Sequence, residues 1–165
     1  MLPYFFIMLS ETIRELILRT IEAALPEAYV LDLNLRRGKQ NVLIIKADTD
    51  QGITLDQCAD ISRKVGYVLE TEPEMDFPYV LEVSSPGVGF PLTLHRQYVK
   101  NIGRNLKVTR NDLTQVSGVL TAVGEGGIQL SPLADPGKKP KKASEPEETL
   151  VSVTFADIRE AVVFI

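Results

Sequence analysis

The chain has 165 residues, 44% apolar and 24% charged, a balance that belongs to a soluble globular protein of one ordinary domain or two small ones and excludes a disordered or fibrous chain. A single cysteine, Cys58, excludes an internal disulfide and a cysteine-rich metal site and fits a reducing cytoplasm, and no apolar run reaches the roughly 18 residues of a membrane-spanning helix. The net charge of −4 excludes a general nucleic-acid coat, because phosphate binding depends on locally gathered cations.

The apolar run Met1–Leu9 lacks the positive n-region and the small-residue cleavage site of a signal peptide. Two readings stay open for it: an N-terminal arm lying on the domain, or a segment ahead of a true start at Met8. Ser10 is a helix N-cap, with Glu11 well placed against the helix dipole. Ile13, Leu16, Ile17, Ile21, Ala24 and Leu25 recur at helical spacing until Pro26 stops the run. Two strand-like runs follow, Tyr29–Leu35 and Val42–Ala47, joined by Arg36-Arg37-Gly38-Lys39-Gln40-Asn41, which reads as a hairpin turn with a basic tip. After Gly52, Thr54-Leu55-Asp56-Gln57 forms a capping-box pattern, and Cys58, Ile61, Val65, Val68 and Leu69 line the apolar face of a second helix. The acidic stretch Glu70–Pro78 leads into a strand, Tyr79–Val83. The first half is thus an α-β-β-α-β sandwich with two helices on one face of a small sheet.

The turn-forming segment Ser84-Ser85-Pro86-Gly87-Val88-Gly89-Phe90-Pro91 sustains neither period and marks a domain boundary, with domains at 1–85 and 86–165. A short helix around Arg96–Asn101 is expected next. Strand candidates follow at Leu106–Arg110, Gly118–Val123, Ile128–Leu130, Leu150–Phe155 and Glu160–Phe164. Five short strands with glycine turns imply a small SH3-like or Sm-like β-barrel, giving an α+β protein of two domains. Ser131–Glu148, with four prolines, four lysines and three glutamates, is expected to be a flexible loop. Charge divides unevenly: 8 Lys and Arg against 14 Asp and Glu up to Pro86, and 10 against 8 from Gly87 onward.

No catalytic constellation emerges. His95, the only histidine, would need a nucleophile, and Ser84 and Ser85 stand in no Gly-x-Ser-x-Gly elbow. Asp48, Asp50 and Asp56 lack the calcium-loop spacing and read as turn caps. Cys58 sits at a helical core position and reads as a packed hydrophobe. Gly87-Val88-Gly89 continues into Pro91-Leu92 rather than a dinucleotide fingerprint. No cofactor and no metal are therefore expected. The binding candidates are Arg36, Arg37 and Lys39 on the first hairpin, and Lys100, Arg104, Lys107 and Arg110 around the first barrel strand. Odd spacing sets Lys107 on the opposite strand face from Arg104 and Arg110. Solvated turns and charge-protected strand edges explain the same residues equally well.

Leu81-Glu82-Val83-Ser84-Ser85-Pro86-Gly87 followed by Pro91-Leu92 resembles the hinge of the RimP family of ribosome maturation factors. Gly52–Arg63 is similar to that family's second-helix segment, and Gly118-Val119-Leu120 and Phe155-Ala156-Asp157-Ile158 to its barrel strands. The resemblance covers nearly all of Ser10–Ile165. It implies a non-enzymatic factor for maturation of the small (30S) ribosomal subunit, acting on its rRNA and a basic ribosomal protein near the decoding region. The chain departs from the family at Gly89-Phe90, where Asp-Arg is usual, so a phosphate contact from an arginine there is missing. The expected protein is cytoplasmic and monomeric. Its interdomain hinge, Ser84, Ser85, Pro86, Gly87 and Pro91, is expected to be a shaped connection of limited swing. The alternative is a stand-alone Sm-like RNA-binding module working as a ring, which the first domain and the 131–148 insertion would obstruct. A hydrolase using His95 ranks third.

Overall fold

The structure, a computed structural model, describes residues 5–133 and 149–165. The chain divides into two compact units, Met1–Pro86 and Gly87–Ile165. Their described residues hold three α-helices and two sheets in a mixed α+β arrangement.

The first unit runs β1 (Phe5–Ile7), α1 (Glu11–Ala24), β2 (Tyr29–Arg37), β3 (Val42–Asp48), α2 (Leu55–Leu69) and β4 (Val80–Ser84). Ser10 caps α1 by accepting from the Ile13 amide at 3.2 Å. At α2 the capping box closes in both directions: Gln57 N donates to Thr54 Oγ1 at 3.1 Å and Thr54 N donates to Gln57 Oε1 at 2.9 Å. The sheet order is β1-β2-β3-β4, antiparallel except for the parallel β3–β4 pair, whose crossover contains α2. Ile13, Ile17 and Ile21 of α1 and Ile61, Val65 and Leu69 of α2 share one core with Leu33, Leu35, Leu43 and Ile45 of the sheet. Fully burying each such side chain stabilises by about 1.5–3 kcal/mol. Asp48 is buried, and its Oδ1 accepts from the amides of Thr49 at 2.9 Å and Ile53 at 3.0 Å, fixing the entry to α2.

The structure adds to the sequence expectations in two places and corrects them in one. The apolar arm contributes a strand, with Phe5, Phe6 and Ile7 paired to Arg37, Arg36 and Leu35. Consequently β2 runs on through Arg37, and Arg36 and Arg37 lie in a strand rather than at a turn. The acidic stretch holds a single 3-10 turn, Pro73–Met75, because Met75 turns inward and is buried in the core.

The second unit runs α3 (His95–Lys100), β5 (Asn105–Arg110), β6 (Gln115–Val123), β7 (Gly127–Pro132), β8 (Val151–Thr154), a 3-10 turn (Phe155–Asp157) and β9 (Ile158–Phe164). Its sheet order is β8-β7-β6-β5-β9, with every pair antiparallel. Among the described residues no ladder joins β8 to β9, so the hydrogen-bonded sheet has two ends. Gln97 is buried and organises the start of α3: its Oε1 accepts from the amides of Thr93 at 2.8 Å and Leu94 at 2.9 Å. Tyr98 then packs into a core with Leu106, Val108, Leu120, Leu130 and Val153. Ser131 and Pro132 belong to β7 and not to the expected loop. Residues 134–148 of that loop lie outside the described residues.

Candidate nucleic-acid interface

The seven candidate cations fall into distinct environments. Arg36 and Arg37 alternate across β2, so their side chains take opposite faces. Arg37 shares the helix-covered side with Leu33 and Leu35, and its guanidinium lies 4.2 Å from the centre of the Phe77 ring. Its Nε is buried without a hydrogen-bond partner. This cation–π contact makes Arg37 a packing residue rather than a phosphate ligand. Arg36, half-buried, stands on the face that neither helix covers, across from Val42. Lys39 alone occupies the hairpin tip, and it is exposed.

In the second unit Lys100 is the last residue of α3 and is half-buried. Arg104 is exposed on the turn into β5, where its carbonyl accepts from the Leu120 amide at 2.9 Å. Lys107 is exposed in mid-strand, flanked by Ser117 and Val162. Arg110 follows a register shift between Thr109 and Arg110, and its Nε lies 3.8 Å from Asp157 Oδ2. Within this group Arg104 and Lys107 have the exposure needed to meet a phosphate.

The segment between the units is shaped by its glycines. Gly87 and Gly89 adopt φ of +70° and +88°, where a Cβ is strained. Leu92 N then donates to Ala161 O at 2.8 Å and anchors the chain to β9. At the other end, Lys46 Nζ donates to Ser84 Oγ at 3.1 Å. The Ser84 hydroxyl is thus engaged by an ammonium and not by a base, the reverse of what an activated nucleophile needs.

The remaining candidates have structural partners. His95 Nε2 lies 3.1 Å from Gly124 O, a carbonyl that only accepts, so this nitrogen carries the proton. The His95 ring also meets Phe155 edge-on at 5.8 Å. Cys58 is buried; burial first, and the Asp48 carboxylate second, push its thiol pKa up, away from a reactive thiolate. Among the described residues no group of three or more His, Cys, Asp or Glu side chains gathers as a metal ion requires.

Comparison with known proteins gives these placements a context. Residues 10–89 match the model of the RimP N-terminal domain. The ribosome maturation factor RimP of Flavobacterium psychrophilum is 37% identical over 159 residues, covering 94% of this chain and 97% of the relative. That of Cytophaga hutchinsonii is 38% identical over 132 residues, 78% of this chain and 76% of the relative. That of Chlorobium phaeobacteroides is 33% identical over 162 residues, 86% and 92% respectively. With such identity sustained across both units, the chain belongs to the RimP family.

Proposed function

We propose that this protein is a non-catalytic maturation factor for the small (30S) ribosomal subunit. It binds immature subunits transiently through their rRNA and a basic ribosomal protein near the decoding region, and leaves as they mature. The observation that carries this reading is the near end-to-end match to relatives named ribosome maturation factors. The protein acts in the cytoplasm as a monomer, and its two units are separate domains hinged at Ser84–Pro91.

The second domain is an SH3-like barrel. In support, all five strands contribute to one core, through Val108, Leu120, Leu130, Val153 and Ala161. Register shifts in the β5–β9 and β6–β7 pairs supply the bends that curling requires. Arg104 and Lys107, with Lys39 on the first domain, make the phosphate contacts. Cells depleted of the protein should accumulate free small subunits carrying precursor rRNA, and re-expression of the protein or of its His95→Ala variant should restore them. Normal subunit profiles on depletion would contradict the reading.

A further inference from the structure

The apolar period of α2 accounts for its inward face, yet the outer side of the α1/α2 pair carries a groove of about 550 Å³. Ala23 and Ala24 of α1 and Val68 of α2 contribute apolar surface to it. Tyr67 also lines it and is 76% exposed. It sits two residues beyond the buried Val65, on the solvent side of an amphipathic helix, where packing gives no reason for a large aromatic ring.

Three cations complete the lining: Arg19, Arg63 and Lys64. They are three of the eight Lys and Arg residues before Pro86, in a unit where acids outnumber bases. Among the described residues their carboxylate partners are fewer. Glu15 lies 3.7 Å from Arg19, while Asp60 serves both Arg63 at 3.2 Å and Lys64 at 3.1 Å. Hydrogen bonds from Lys64 and then Arg63 hold the Asp60 carboxyl below its ordinary pKa, so it stays charged, and among the described residues the three cations exceed their two paired carboxylates by one charge. These ion pairs are exposed and therefore weak, and they exchange readily for an incoming anion.

We propose that this groove is an RNA-binding site that takes one unpaired nucleotide. Its base stacks on Tyr67 against the apolar surface of the groove, and its flanking phosphates meet Arg19, Arg63 and Lys64. An exposed ring beside surplus cations is the combination single-stranded RNA uses. An acidic peptide would satisfy the cations but leave the ring face without a role. The inference deepens the assembly-factor reading and rests on it for the source of the RNA, the small subunit.

The test uses the full chain and an unstructured 12-nucleotide RNA carrying 5-iodouridine, at low salt. Photocross-linking followed by mass spectrometry should place the adduct on Tyr67. Tyr67→Ala should weaken binding by about 5- to 100-fold, the effect of losing one stacked base, and Tyr67→Phe should restore it. Arg63→Gln with Lys64→Gln should lower the slope of log affinity against log salt by about 1. All these positions are exposed, so the variants keep their fold. Cross-links outside α1 and α2, with Tyr67→Ala binding unchanged, would overturn the inference. Tighter binding in the groove by a glutamate-rich peptide that displaces the RNA would also overturn it, in favour of an acidic protein partner. Binding to purified immature subunits, measured in parallel, separates the two levels. If Tyr67→Ala binds subunits as well as the parent, the groove inference fails while the assembly reading stands. If the parent cross-links at Tyr67 but ignores subunits, the assembly reading fails instead.

Discussion

Replacing Gly118 with Ala would place a methyl group where β6 and β7 run closest. The added Cβ would stand 2.4 Å from Ser131 O and 2.9 Å from Ser131 C, both backbone atoms of the paired strand. An ordinary carbon–oxygen contact needs about 3.3 Å, so the strands must separate by roughly 1 Å around the Gly118–Pro132 and Val119–Ser131 pairs. Overpacking of this kind costs about 1–3 kcal/mol, and a weakened ladder hydrogen bond adds about 1 kcal/mol. Against that, alanine stiffens the unfolded chain and returns about 0.5–1 kcal/mol. The net loss is roughly 1–3 kcal/mol, which for a unit of this size lowers Tm by about 5–20 °C. Thermal denaturation of the full chain, with hydrogen exchange read at the β6 and β7 amides, measures it. Gly126→Ala is the control: no atom lies within 4 Å of its added Cβ, so its Tm should hold. If Gly118→Ala melted within about 2 °C of the parent, the close approach and the strand register argued from it would be wrong.

Leu113 is the one non-glycine residue with positive φ, +72°, among the described residues, and it is exposed at the β5–β6 turn. Leu113→Gly should therefore stabilise by about 1 kcal/mol in urea unfolding, with no burial lost; destabilisation would show that the side chain has a packing role. Burial raises the Tyr98 pKa above its ordinary value near 10. The folded state therefore holds this proton more tightly than the unfolded state. Its contribution is complete below pH 10 and is lost as pH rises through the folded pKa. Tyr98→Phe should flatten the alkaline fall in Tm above pH 10, and parallel profiles for parent and variant would count against this. At the hinge, Gly87→Ala with Gly89→Ala imposes about 1–2 kcal/mol of backbone strain at each site. Both units should stay folded by circular dichroism while binding to immature subunits weakens. Unchanged binding would make the linker a passive tether.

Much of the fold is written in side-chain period. Ile13, Ile17 and Ile21 announce α1, the Thr54–Gln57 pair announces α2, and alternation in Tyr29–Leu35 and Val42–Ala47 announces β2 and β3. Phe5–Ile7 could not be told from a loose apolar arm, because three residues are too few to establish a period and their strand exists only through pairing with β2. The same pairing removes Arg36 and Arg37 from the turn that composition assigned them. Site residues were harder to read than elements. Spacing put Arg110 on a strand face, but the register shift after Thr109 re-aims it toward Asp157, a residue 47 positions later. Tyr67 is not legible in the sequence because the apolar period of α2 marks its buried side, and the exception on the exposed side matters only once α1 lies beside it.

The most direct test of the central claim is sedimentation of the endogenous protein in lysate from growing cells, at low salt, with detection across the gradient. The account predicts co-migration with free small subunits, enriched where those subunits carry precursor rRNA, and absence from translating ribosomes. Migration wholly with free protein, or equal occupancy of polysomes, would contradict it.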